Sequence, residues 1–110
     1  MRVFLAAAIV VASISIASGA GPVLAFIHGN DVLTNCKDHG APCVSYVIGL
    51  ADELEMVAPR LTNICRPEEV TELQLVDVLL AWLDQHPAER HRPAAALAGL
   101  AFAEAWPCTK

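Results

Sequence analysis

Apolar residues recur at helical spacing in three stretches of this chain, and each stretch is bounded by a recognisable signal. In the first, from Cys43 to about Val57, apolar residues return every turn while acidic residues occupy the opposite face. Pro42 lies where proline favours the start of a helix. Pro59 ends the stretch because the residue before a proline is pushed out of helical geometry. The pattern predicts an amphipathic helix.

The second stretch has the clearest start. Thr71 and Gln74 are spaced as a capping box, in which the threonine hydroxyl accepts the Gln74 N–H and the glutamine side chain reaches back. From there to His86, apolar residues cover most of the circumference and polar residues share one narrow stripe. Such a helix is the central element of a domain or also faces a second chain, so we predict a homodimer.

The third stretch lies between two prolines. After a turn from Pro87 to Arg92, Pro93 opens a helix that runs to about Trp106 and stops at Pro107. A membrane span is the alternative for so apolar a segment. Its roughly fourteen residues cover only about 21 Å, however, which is too short to cross a bilayer. We therefore expect a buried core helix.

A short helix from Asp31 to about Asn35, with Asn30 as its N-cap, precedes these three. Residues 59–70 are expected to be irregular. Helix is the only regular structure that the pattern supports, since no Asn-Gly or Asp-Gly hairpin signal is present. The predicted fold is all-α: a small bundle of three main helices plus a short N-terminal helix, stapled by disulfides.

The N-terminal 25 residues have the features of a secretory signal peptide: a basic start, an apolar run over residues 3–16, and two segments that fit a small-x-small cleavage signal, ending at Ala20 and Ala25. A signal anchor that stays as a membrane tether is the alternative. The run is short for a span and ends in small residues and Pro22, which favours removal. The mature domain is then 26–110, with Ala25 preferred to Ala20 as the last residue removed, and its predicted location is the bacterial periplasm.

Charge and cysteine content narrow the class of protein. The formal net charge of −5 gives no electrostatic footprint for nucleic acid or anionic lipid, so we expect neutral or basic proteins as partners and no membrane contact after signal removal. The mature part contains all four cysteines, and an even number in a small exported chain indicates two disulfides.

Helix topology favours one of the three pairings that four cysteines allow. If the main helices run up, down and up, Cys65 and Cys108 lie at the same end of the bundle, which leaves Cys36 and Cys43 to close a short loop. The pairing of Cys43 with Cys65 and of Cys36 with Cys108 is the alternative.

A metal site at His86 and His91 is not expected. Residues five apart on a continuous helix point about 140° away from each other, and export favours disulfides over thiolate ligands. His86 suits the C-terminus of a helix instead, and Arg90 is placed to pair with Asp84 or Glu89.

Signals of catalysis are missing as well. The sequence has no Gly-rich phosphate loop, no Cys-x-x-Cys redox pair and no serine elbow. The carboxylates between Asp52 and Glu55 belong to the solvated face of a helix. We predict neither an enzyme nor a cofactor.

Several segments together carry a resemblance to a known family. They are Gly29-Asn30-Asp31-Val32-Leu33, Cys43-Val44-Ser45-Tyr46-Val47-Ile48-Gly49, Ile64-Cys65-Arg66-Pro67, His86-Pro87-Ala88-Glu89-Arg90-His91 and Ala105-Trp106-Pro107-Cys108. In this order and spacing they resemble the Rap/Tai immunity proteins, which protect bacteria from cell-wall amidase toxins delivered by type VI secretion. The resemblance implies a small helical periplasmic protein that dimerises and blocks the substrate groove of a peptidoglycan amidase.

The surface that meets a toxin must differ from relative to relative, so the shared motifs do not identify it. The connection between the first two main helices is the best candidate, because it joins an exposed helix end to charged residues. Its predicted contact residues are Met56, Arg60, Arg66, Glu68 and Glu69. The alternative is that this stretch only connects two helices.

A second class of function is a small periplasmic helical chaperone or acid-stress protein. The chain resembles the small acid-activated chaperones in its size, its helicity and its disulfides. Twelve carboxylates and four histidines would give such a protein a large change of charge on acidification. An exported or secreted amidase encoded beside this chain would favour immunity.

Overall fold

The computed structural model describes residues 27–57 and 59–108, and its described part is helical with no strand. The predicted signal peptide, its predicted cleavage site and the predicted N-terminal boundary of the domain at residue 26 lie outside the described residues. The helices are α1 (Gly29–Asn35), α2 (Ala41–Val57), α3 (Pro59–Thr62), α4 (Glu72–Gln85) and α5 (Ala94–Ala105), with a 3-10 turn at Pro87–Glu89 between the last two. The predicted all-α bundle is confirmed.

The start of α4 follows the predicted cap. Thr71 has extended backbone geometry, and its hydroxyl accepts the Gln74 N–H at 3.2 Å. The stretch after α2 differs from the prediction, because Pro59–Thr62 forms a short helical turn where irregular chain was expected. Asn63 follows with φ 54°, a left-handed conformation that asparagine tolerates and that commonly ends a helix.

The start of α1 was predicted wrongly. The cap is His28 rather than Asn30, and the helix begins at Gly29. The Gly29 and Asn30 N–H groups donate to the Arg92 and Arg90 carbonyls at 3.1 and 2.9 Å. The first amides of α1 are therefore satisfied by a distant segment of backbone, so the helix does not need the Asn30 side chain as a cap.

The core lies around α4, which packs mainly on α5 and α2. Leu79 and Leu83 of α4 are fully buried, as are Leu97 of α5 and Val47 of α2, and Phe102 of α5 is 1 % exposed. α5 is thus the buried core helix that its composition predicts. In the part of the chain that the structure describes, no helix has the length and hydropathy of a membrane span.

Two disulfides staple the bundle. Cys36–Cys43 closes the turn between α1 and α2, and Cys65–Cys108 joins the segment before α4 to the end of α5. These are the two pairs that the helix topology favours. The Cys65 N–H also donates to the Trp106 carbonyl at 2.8 Å, which extends the link between the two segments.

Two glycines should respond in opposite ways to the same substitution. A Cβ at Gly29 would lie 2.6 Å from Leu97 Cδ1 and 2.9 Å from the Arg90 carbonyl oxygen, whereas a Cβ at Gly49 would meet nothing within 4 Å. We expect Gly29→Ala to lower the free energy of unfolding by about 1–3 kcal/mol through overpacking. Gly49→Ala should raise it by about 0.5–1 kcal/mol, because alanine is the better helix former in mid-α2. Urea denaturation of both variants measures the two signs, and a shared sign would contradict the packing described here.

Candidate partner-binding surface

Two large apolar side chains stand in solvent at the end of α2 and in α3. Met56 is 80 % exposed and Leu61 is 89 % exposed, more than any other large hydrophobic residue in the described part of the chain. Single exposed apolar residues are ordinary on protein surfaces. Two of them lie on one short segment, whereas most other large apolar residues in the described part are buried or partly buried.

Acidic side chains follow on the same segment. Glu68 and Glu69 are both exposed and lie in a turn, in which the Val70 N–H donates to the Pro67 carbonyl at 3.3 Å. We call the stretch from Met56 to Glu69 the presenting segment. The structure describes the backbone of Arg60 but not its side chain. In the part described, the presenting segment therefore offers an apolar pair and an acidic pair to solvent.

One of the predicted contact residues is instead tied to the protein itself. Arg66 donates from Nε and Nη2 to both oxygens of Glu55, at 2.7 and 2.9 Å, and the two side chains are only 22 % and 23 % exposed. The hydrogen bonds to Glu55 raise the pKa of Arg66, and the charges of Glu55 and Asp52 add to the rise against desolvation. This pair joins the presenting segment to α2, so Glu55 does not simply face water as its position on the helix suggested.

Further contacts hold the segment in place. The Thr62 hydroxyl donates to the Leu54 carbonyl at 3.3 Å, Ile64 is buried, and Cys65 carries the disulfide to Cys108. A segment restrained at several points loses little conformational entropy when it binds. The presenting segment is thus exposed and preorganised at the same time.

The His86-to-His91 motif builds the scaffold. His86 Nδ1 lies 2.7 Å from the Trp82 carbonyl oxygen, and the two rings stack with centroids 3.9 Å apart. Arg90 donates to the Leu83 and Asp84 carbonyls at 2.7 and 3.0 Å, so it closes the C-terminus of α4. The Asp84 carboxylate lies farther from the guanidinium, at 3.7 Å, and the expected pairing with it is the weaker contact.

The other residues of the His86-to-His91 motif do not take part in the Arg90 contacts that close the C-terminus of α4. Pro87 opens the 3-10 turn, His91 is exposed, and the Glu89 carboxylate accepts from Arg92 at 2.9 Å rather than from Arg90. Among residues 27–57 and 59–108, no three histidine, cysteine or carboxylate side chains gather as a metal site.

Sequence reasoning missed Leu61 as a surface residue. Its position was a signal of exposure. Leu61 lies in a charged stretch that was expected to be irregular, where the hydrophobic pattern predicts no buried helix face. It also missed the Arg66–Glu55 pair, because the partners lie on different elements.

A family model described as Rap1a immunity proteins matches residues 28–108. The matched region runs from the cap of α1 to the last cysteine, so it contains every described helix and both disulfides. No curated protein and no solved structure shows a significant match to the chain. Because the match covers well over half of the sequence, and because the residues quoted above carry the same resemblance, this chain belongs to the family of Rap1a immunity proteins.

Proposed function

We propose that this protein is a periplasmic immunity protein that binds a peptidoglycan amidase effector of type VI secretion and blocks it sterically. Membership of the family supports a toxin as the partner. The observation that carries the mode of action is the presenting segment, which is exposed, restrained and apolar at Met56 and Leu61. On this proposal the protein has no catalysis of its own and acts by occupying the groove in which the substrate would lie.

The charge of the presenting segment supports a basic site on the enzyme. Glu68 and Glu69 are exposed, whereas Arg66, the nearer of the two arginines between them and α2, is neutralised by Glu55. Such a surface complements a groove that bears arginine, lysine or a protonated catalytic histidine. Met56 and Leu61 would supply apolar contact area, while the acidic pair would set orientation and speed association.

Export and assembly belong to the same proposal. Two disulfides suit an oxidising compartment, so we propose that residues 1–25 direct the chain to the periplasm and are removed. We also propose a homodimer, supported by Leu73 of α4, which is 53 % exposed on a helix that is apolar on most sides. Light scattering of the free protein should then give twice the mass of one chain.

Charge reversal at the acidic pair tests the proposed function. With a cell-wall amidase from the same genome, Glu68→Lys with Glu69→Lys should weaken binding more than tenfold, about 1.4 kcal/mol. The melting temperature should not change, because both carboxylates are exposed. Inhibition of peptidoglycan hydrolysis and isothermal calorimetry measure the effect.

Two controls accompany this test. Glu68→Gln with Glu69→Gln changes the charge by half as much and should give an intermediate loss. Thr34→Lys with Ser45→Lys changes the net charge by the same amount as the double glutamine variant, but at exposed positions outside the presenting segment. This variant should bind like wild type. Unchanged inhibition by the reversed pair would move the contact elsewhere, first to the turn from Pro87 to Arg92. Suppression of aggregation of an acid-unfolded protein, with no amidase binding, would favour the chaperone instead.

A further inference from the structure

An open pocket of about 460 Å³ lies where α1 meets the start of α2, beside the Cys36–Cys43 disulfide. Its volume is in the range of protein pockets that bind small molecules, so it has room for a large side chain of a partner. Ile27, Val32 and Tyr46 form part of its apolar wall. Val32 is 2 % exposed, and burial raises the pKa of the Tyr46 phenol, so the wall of this pocket is part of the folded core.

The charges at the pocket all have one sign. Asp31 and Asp38 line it, and no lysine or arginine is among its lining residues. Each carboxylate is oriented by the backbone: Asp31 accepts the His28 N–H at 2.8 Å, and Asp38 accepts the Gly40 N–H at 3.3 Å. The same Asp31 oxygen lies 3.5 Å from His28 Nδ1. A carboxylate has about four acceptor positions on its two oxygens, so both side chains can still receive a cation.

The pocket is separate from the presenting segment. Tyr46 lies ten residues before Met56 on α2, which places them about 15 Å apart along the helix axis. One is therefore near the start of α2 and the other near its end. A partner held at the presenting segment leaves the pocket free unless its footprint spans the whole helix.

We propose that this pocket is a second protein-binding site, which takes a large apolar side chain adjacent to a lysine or arginine in an exposed segment of a partner protein. The apolar side chain enters between Ile27, Val32 and Tyr46. The neighbouring ammonium or guanidinium pairs with Asp38 and Asp31 at the rim. The combination of an apolar pocket with two carboxylates at its rim selects this class of segment over a neutral or acidic one.

Short peptides test the proposal on the exported protein. Isotope-labelled protein is titrated with N-acetyl-Phe-Lys-amide, N-acetyl-Phe-Glu-amide and N-acetyl-Gly-Lys-amide, and the amide chemical shifts are followed by NMR. The Phe-Lys peptide should shift Val32, Asn35 and Tyr46 with a dissociation constant of about 1 mM, and the other two should bind at least tenfold more weakly. Equal responses to all three peptides, or shifts confined to other parts of the protein, would overturn the proposal.

Two arginine variants separate a local effect from a general change of charge. Asn35 is exposed and lines the pocket, so Asn35→Arg places a cation at its wall and should weaken Phe-Lys binding at least tenfold. Gln74→Arg makes the same change at an exposed position of α4 outside the pocket and should bind like wild type. Contacts in the free protein between the Tyr46 ring and residues before Ile27 would identify the chain's own N-terminal segment as the occupant, and would also overturn the proposal. None of these readouts uses the amidase, so they stand apart from the test of inhibition.

Discussion

Replacing Cys65 and Cys108 together with alanine is expected to lower the free energy of unfolding by about 4 kcal/mol. The two cysteines are 43 residues apart, and a cross-link that closes a long loop removes much entropy from the unfolded chain. Cys36 and Cys43 are only 7 residues apart, so the same treatment of that pair should cost about 2.4 kcal/mol through the cross-link. Guanidinium denaturation of the oxidised proteins measures the difference.

Reduction provides the control for this experiment. With excess reductant the cross-link is absent from both proteins, so the gap between wild type and the Cys65→Ala, Cys108→Ala variant should close to within about 1 kcal/mol. A gap that persists under reductant would assign the loss to side-chain packing instead of to the cross-link. Because Cys65 lies in the presenting segment, the oxidised variant should also bind the amidase more weakly than its stability alone accounts for.

Local signals in the sequence identified the elements that are fixed by neighbouring residues. The Thr71 cap places the start of α4, since its hydroxyl accepts the N–H of Gln74, three residues further along the chain. The start of α1 combines a local contact, in which the Asp31 carboxylate accepts the His28 N–H, with hydrogen bonds to the carbonyls of Arg90 and Arg92, which reach it only after the chain has folded. Periodicity cannot show such a contact. The cysteine pairs are an intermediate case. They join distant residues, but the directions of the predicted helices were enough to bring Cys65 and Cys108 to the same end of the bundle.

The candidate surface divides in the same way. Met56, Glu68 and Glu69 are exposed, and their positions at a helix end and in the irregular connection after it were predicted from the sequence. In the sequence, Arg66 looked as exposed as these three residues. In the structure it pairs with Glu55 of α2, 11 residues earlier in the chain, and Glu55 neutralises its charge. The direction of the Leu61 side chain depends on the short turn at Pro59–Thr62, which no pattern predicted. Sequence therefore proposed the segment as a candidate, and the folded geometry determined which of its side chains reach solvent.

Replacing Met56 and Leu61 together with serine should weaken binding to the amidase at least 100-fold, about 2.7 kcal/mol. Burying two such side chains at an interface contributes about 1.5–3 kcal/mol each, and serine removes nearly all of that apolar area. Stability should change by less than about 0.5 kcal/mol, because the two residues are 80 % and 89 % exposed in the free protein. Leu100→Ser is the control: this α5 residue is 46 % exposed, and its loss should leave affinity within threefold of wild type.

Binding kinetics distinguish the apolar pair from the acidic pair. Loss of buried apolar contact acts on the dissociation rate, so Met56→Ser with Leu61→Ser should raise it about 100-fold with little change in association. Reversal of Glu68 and Glu69 should mainly slow association, and the effect should fade as salt is raised. If the serine variant slowed association instead, the two side chains would guide encounter without being buried in the complex. If it bound like wild type, the amidase would not contact this end of α2, and the exposed pair would have to serve another interface.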